Sequence, residues 1–466
     1  MAIEKGREGS VKEPVTKGVK MLLGNPQKAI IKLSIPMIVA MSVQTVYNLA
    51  DAIWVGGLPN GGDALASIGL FFPFFFLIMA LATGLGIGGG SAISRRIGAR
   101  DKRGADNVAE HMIMLMVIVA ILFTIPSYIL LPHIFTLIGA GEVADLATEY
   151  GRIIIGGSLV IFFANNANAI LRAEGDTKRA MYAMVLGSVL NIFLDPIFIY
   201  GLDMGVAGAA WATMISFSIT AALLFYWLFL KGNTYITFRM RDFKFRLSIF
   251  KDIMNVGFPA SLQQMSMSVQ MFFLNVVVVA VGGTDGVAVF STGWRVVMMA
   301  VLPLMGIASA LISVAGAAYG AGSFRKLKLS LYHGIRFGLF LEVPVSLLIF
   351  FLAPFIVILF TWSPDSQDLR PDLIVFLRMF SLMAFSAAFG MLSGAVFQAI
   401  GKGFNSLLVT IFRTIIFALT FAFLFGVVFD WGLIGVWAGI LTGNALGAII
   451  SYAWASLHIR KLMRDS

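Results

Sequence analysis

Twelve stretches of this chain are long and apolar enough to cross a lipid bilayer, and that feature narrows the fold more than any other. A membrane helix needs roughly 20 mostly apolar residues at ~1.5 Å per residue. Such runs lie near 29–56, 64–92, 107–131, 147–171, 180–201 and 205–230, then 252–281, 286–319, 328–359, 373–400, 404–429 and 433–457. Composition agrees, with 59% hydrophobic and only 12% charged residues, where soluble domains carry about 25% charged. These numbers argue against a soluble enzyme, a nucleic-acid binder and a disordered chain. There is no Cys and there are four His, so disulfides, thiolate metal sites and cysteine nucleophiles are excluded and a histidine metal cluster is disfavoured. The expected fold is an all-α integral membrane protein of twelve transmembrane helices.

Charge placement then gives a topology. The net charge is +10, and all but six of the 34 Lys and Arg residues fall on one side of the alternating spans. They include Lys5 to Lys32, Arg95 to Arg103, Arg172 to Arg179, Lys231 to Lys251, Arg325 to Lys328, Lys402 and Arg460 to Arg464. Arg370 is alone on the other side, and Arg152, Arg295, Arg336, Arg378 and Arg413 lie within spans. Basic loops stay in the cytoplasm, so both termini are expected there. The excess charge is thereby explained by topology, without nucleic acid. Residues 1–28 mix basic residues with Glu4, Glu8 and Glu13 and have no long apolar core. They read as a polar cytoplasmic tail or short surface helix, not as a cleavable signal.

The chain also repeats weakly on itself at a nearly constant offset. Pro36 meets Pro259, Gly56-Gly57 meets Gly282-Gly283, and Gly98-Ala99 meets Gly320-Ala321. Ala169 to Gly175 meets Ala395 to Gly401, and Gly205 and Gly208 meet Gly432 and Gly435. Six spans per repeat is an even number, so the halves share an orientation and are related by an axis along the membrane normal. The expected organisation is a lobe at 29–230, a cytoplasmic linker at 231–251 and a lobe at 252–466. Two facing bundles with a central cavity point to a transporter. No catalytic groups assemble at the interface for an enzyme, no symmetric pore ring appears for a channel, and no phosphate-binding loop is present for an ATPase.

Charged residues inside the membrane are costly and are therefore read first as functional. Asp51, Asp195 and Glu342 are the acids set well inside spans. Counted from Lys32 and Arg179, Asp51 and Asp195 both lie roughly 24–29 Å from the inner side, so they can meet at one depth. Asn191 shares a helical face with Asp195, as Tyr47 does with Asp51, and Thr213 reaches a similar level. Two carboxylates, an amide and a hydroxyl suit either Na⁺ or a shared proton. The plainer alternative is hydrogen bonding between neighbouring helices. Glu342 is read as a charge pair with Arg336 or as part of a kink at Pro344. Arg295, Asn168 and the Gln263–Met265 segment are candidates for the cavity wall, each with a structural alternative.

Taken together, Pro36, Tyr47-Asn48-Leu49-Ala50-Asp51, Gly98-Ala99-Arg100, Leu171 to Asp176, Asn191 with Asp195-Pro196, and Gly205 to Ala210 resemble the multidrug and toxic compound extrusion (MATE) family. The resemblance covers essentially the whole chain. It implies a secondary antiporter in the plasma membrane that exports organic cations and amphipathic drugs in exchange for H⁺ or Na⁺, without a cofactor and as a monomer. It makes Asp51, Asn191, Asp195 and Thr213 the cation site, supported by Tyr47, Asn48 and Tyr150, and makes Pro36 the hinge. Acids expected in spans seven and ten of the NorM branch are missing, so the chain looks DinF-like. The same superfamily architecture leaves a flippase for lipid-linked or membrane lipids as the alternative.

Overall fold

The computed structural model describes residues 16–465 apart from 60, 142, 240, 242, 362 and 363, so residues 1–15 of the expected tail at 1–28 lie outside the described residues. A short helix α1 (Lys17–Leu23), capped by Thr16, precedes the first crossing. The first bundle contains α2 (Pro26–Gly56), α3 (Gly61–Gly98), α4 (Lys102–Leu137), α5 (Val143–Gly156), α6 (Ser158–Ala173), α7 (Thr177–Pro196) and α8 (Gly205–Phe225). The second contains α9 (Leu247–Gly320), α10 (Phe324–Phe360), α11 (Arg370–Ser381), α12 (Met383–Ala399), α13 (Gly403–Thr410), α14 (Ala418–Phe423) and α15 (Gly432–Arg464).

Several of these helices do not each make one crossing. α9 runs for 74 residues, far more than a bilayer of about 30 Å needs. It breaks at Gly283, whose φ of 58° and ψ of −149° lie outside the helical region, and so crosses twice. Helices α5 and α6 meet at a 48° bend and α11 and α12 at 46°, so each pair is one bent span. With α13 and α14 running on as one span over Gly403–Val428, the described residues make twelve crossings, six in each bundle.

Backbone geometry repeats along with the sequence. Left-handed positions recur in matched pairs: Arg100 with Gly322, Gly175 with Gly401, Asp203 with Asp430, and Gly205 with Gly432. Gly175 and Gly401 even share a φ of 83°. Wide helical turns also pair, at Ile197–Gly201 and Leu424–Val428. In the first half the turn follows Pro196, which cannot donate an N–H; in the second half no proline stands there.

The bundles close on each other at the end that carries the basic loops. A Cβ at Gly98 would sit 2.0 Å from the Ala317 carbonyl oxygen, and one at Gly320 would sit 1.8 Å from that of Arg95. Only glycine lets backbones approach this closely. The contact is sealed by Ser91, which donates to the Gln398 carbonyl at 2.5 Å, and by Ser313, which donates to the Arg172 carbonyl at 3.0 Å. Arg95 adds an ion pair to Asp252 at 2.9 Å.

The segment joining the bundles is tied down by acids rather than left free. Glu174 accepts the backbone N–H groups of Tyr235 at 2.8 Å and Ile236 at 3.1 Å. Asp106 and Glu110 accept those of Thr237 and Arg239, each at 2.8 Å. His111 Nδ1 lies 2.7 Å from the Asn107 carbonyl and donates to it, which leaves Nε2 to accept the Arg246 N–H at 2.8 Å. The basic side chains of this segment mark the membrane side, while its backbone does the docking.

Glu174 lies in the loop after α6, and its burial raises its pKa from 4.5 to about 8 against the opposing pull of the two N–H donors. Between those values the folded protein holds a proton that the unfolded chain has released, so folding stability falls as pH rises. The Glu174 contribution to the stability of detergent-solubilised protein is therefore expected to be full below pH 4.5 and to be lost progressively up to about pH 8, lowering Tm over that range. Glu174→Gln, which keeps an acceptor but cannot ionise, is expected to flatten that decline. An unchanged slope in the variant would remove Glu174 as its source.

Candidate cation site

The candidate site is built where α2, α7 and α8 come together inside the first bundle. Asp51 projects from the last two turns of α2, and Asp195 from the end of α7. The two carboxyl groups lie within hydrogen-bonding reach of each other. Asn191, one turn before Asp195, directs its amide to Asp195 Oδ1 at 3.3 Å and to Thr213 Oγ1 of α8 at 3.2 Å. Asp195 is fully buried, and Asn191 and Thr213 are buried with it.

Not all of the oxygens in this cluster are satisfied by protein. Asp51 Oδ1, Asp195 Oδ2 and Asn191 Oδ1 are buried without a hydrogen-bond partner. Buried acceptors of this kind are costly unless something positive or protic meets them. Two adjacent carboxylates repel when both are ionised, which favours uptake of one positive charge between them. The donor set is all oxygen, suited to a proton or a hard monovalent ion.

Tyr47 and Tyr150 stand close enough to both carboxylates to feel their charge. Tyr150 is fixed edge-on against Phe71, with ring centroids 5.4 Å apart. Asn48, one residue beyond Tyr47, is exposed and lies on a different face of α2. Pro36 is buried inside an uninterrupted α2. Nearby, a Cβ at Gly306 of α9 would come within 2.6 Å of Ile38, so the expected hinge region sits against the opposite bundle.

The remaining residues expected at a cavity wall divide. Asn168 is buried and donates to the Ala180 carbonyl at 2.9 Å while accepting from Arg172, so it binds helices to one another. Gln263 donates to Thr410 and accepts from Gln398 at 2.8 Å, which commits it to packing in the second bundle. Met265 and Arg295 are exposed. Glu342 is fully buried, and neither of its carboxylate oxygens is bonded by another side chain among the described residues. The expected pair with Arg336 is absent among the described residues, because Arg336 is exposed and Glu342 faces inward.

Comparison with known proteins follows the same two halves. The MatE family model matches residues 36–197 and again 259–424, beginning at the paired prolines Pro36 and Pro259. The chain is 27% identical to a probable multidrug resistance protein NorM of Thermotoga maritima over 89% of each chain. It is 48% identical to a multidrug resistance MATE family transporter of the MOP superfamily, solved in an outward-facing conformation. That structure superposes with a TM-score of 0.94, covering 97% of this chain and 100% of the other. A MOP superfamily transporter from Pyrococcus furiosus is also similar, with 48% identity, a TM-score of 0.93 and coverage of 97% and 100%; its binding pocket is described as having reverse polarity, pointing to a different function.

Proposed function

This chain belongs to the MatE family of membrane transporters, and from that premise we propose that it is a secondary antiporter that exports amphipathic organic cations from the cell. The exchanged ion is H⁺ or Na⁺, bound at Asp51 and Asp195 with Asn191 and Thr213 as supporting ligands. The carrying observation is the meeting of two carboxyl groups from α2 and α7 beside buried oxygens that no protein group satisfies. The names of relatives as multidrug proteins support the substrate class.

The mechanism follows from charge. An occupied or protonated pair is neutral and sits comfortably in a dry bundle; an emptied pair is anionic and attracts an organic cation. A ligand shifts two conformations only by its differential affinity for them, so ion and drug must prefer different states. The contact at Gly98 and Gly320 closes the end bearing the basic loops, which we assign to the cytoplasm with both termini. We take the lobes as 29–230 and 252–466, joined by 231–251, with Pro36 as the bending point, and the working unit as a monomer in the plasma membrane.

A second reading has one observation in its favour. Arg413 lies among α13, α12 and α15, against Gly390 and Gly447, with its Nε unpartnered, and a cation there would suit the anionic headgroup of a lipid substrate. Proteoliposomes separate the readings. A fluorescent organic cation is expected to move when ΔpH or ΔNa⁺ is imposed alone, and a labelled anionic lipid is not. Lipid movement without response to either gradient would favour the flippase instead.

A further inference from the structure

We propose that Glu342 forms a second cation site, in the second bundle, that takes up one monovalent cation, either a proton or a sodium ion. The residue is completely buried, and neither of its carboxylate oxygens is bonded by another side chain among the described residues. It lines a small cavity of about 20 Å³, room for one water-sized group, together with Ser346 and Ser381, walled otherwise by apolar side chains such as Val297, Leu377 and Phe380. An acid kept in such a place with no side-chain partner is expensive and calls for a compensating positive charge.

Each helix that lines the cavity either loses a backbone hydrogen bond to a proline or bends there. α9 carries Pro303 just beyond Ala300 and Val301, α10 carries Pro344 between Glu342 and Ser346, and α11 and α12 bend by 46° between Ser381 and Met383. Pro303 and Pro344 leave the carbonyls of Met299 and Phe340 without their helical donors. Carbonyls freed in this way are polar backbone groups inside an otherwise apolar bundle. The backbone at Leu304, directly after Pro303, is one polar neighbour of the carboxyl group. Ser346 lies one turn after Glu342, on the same helical face. Ser381 donates to the Arg378 carbonyl at 2.7 Å, which leaves its oxygen lone pairs available.

Among the described residues no fixed cation meets the acid. Arg295, Arg336 and Arg378 are the charged residues closest in sequence on the lining helices, and α12 has none. Arg295 and Arg336 are exposed, and Arg378 stacks over Phe350 at 5.6 Å. The Asp51–Asp195 pair belongs to the other bundle, so the two sites load separately. The proposal therefore extends the antiport reading, and its test is arranged so that either can fail alone.

The test uses purified full-length protein carrying Asp51→Asn and Asp195→Asn, which silences the first site. Infrared difference spectra of the carboxyl stretch are recorded in two arms, a pH step without sodium and a NaCl addition at fixed pH. A band that changes in one arm and vanishes with Glu342→Gln is expected; the responding arm identifies the ion. Should Glu342→Gln fail to fold, Ser346→Ala is expected to move the midpoint of that band at least threefold in ion concentration. Absence of any Glu342-dependent band in both arms, or an unmoved midpoint with Ser346→Ala, would overturn the proposal and leave Glu342 a permanently neutral packing residue.

Discussion

Asp51→Asn and Asp195→Asn are each expected to abolish ion-coupled efflux while leaving expression and folding intact. The side chains are nearly isosteric, so packing is preserved and only the ionisable oxygen is lost. Removing one member of a buried charged set costs about 3–5 kcal/mol, or roughly two to four orders of magnitude in binding. Asp195 makes the sharper case because it is fully buried and already shares Asn191 with Thr213. Asn191→Ala and Thr213→Ala remove ligands without removing charge and are expected to weaken ion affinity by about tenfold, near 1.4 kcal/mol. Resistance assays in a drug-sensitive host, with membrane expression checked by immunoblot, read both effects. Full resistance in both Asp variants would sink the assignment.

Gly98→Leu is expected to block transport for a different reason, by preventing closure of the end that bears the basic loops. Any Cβ at this position meets the Ala317 carbonyl at 2.0 Å, and the obstacle is backbone, which no rotamer change relieves. Overpacking costs typically about 1–3 kcal/mol, and transport states differ by only a few kcal/mol. The closed state should therefore lose about tenfold to a hundredfold in population. The chain has no cysteine, so a single Cys at Ser91, whose hydroxyl spans the interface, reports closure directly by thiol labelling. Labelling is expected to accelerate in Gly98→Leu. Gly62→Leu is the control, because a Cβ there meets nothing within 4 Å. Equal labelling rates in the two variants, with transport retained, would contradict the closure role.

How much of this was readable beforehand depends on what each signal reports. Span number, side of the basic loops and the repeat are carried by runs of residues, so a few ambiguous positions do not disturb them. The prolines Pro36 and Pro259 marked the start of each half from sequence, and the family model begins at the same two residues. Asp51 and Asp195 were legible because depth follows from residue counting, and their helices do bring them together. Asn168 and Gln263 were not, because an amide on an apolar helix looks the same whether it lines a cavity or bonds to a neighbour. Here it bonds to a neighbour.

Two other features left little trace in the sequence. The chain has 48 glycines, and nothing local marks Gly98 and Gly320 as the pair where bundles touch. The acids Asp106, Glu110 and Glu174 sit near basic residues, which makes them look like solvated charge, yet they receive backbone N–H groups of the joining segment. Glu342 was visible as an intramembrane acid, but the Arg336 six residues away drew it into a charge pair that a helix of 3.6 residues per turn does not favour at that spacing.

The central claim, that ion and substrate move in opposite directions through one pair of carboxylates, is tested most directly by counterflow. Proteoliposomes are loaded with a fluorescent organic cation, and H⁺ or ²²Na⁺ entry is followed as the compound leaves. Substrate-dependent ion entry is expected with the wild-type chain and is expected to vanish in both Asp51→Asn and Asp195→Asn. Substrate movement with no accompanying ion flux, or ion flux that survives both substitutions, would contradict it.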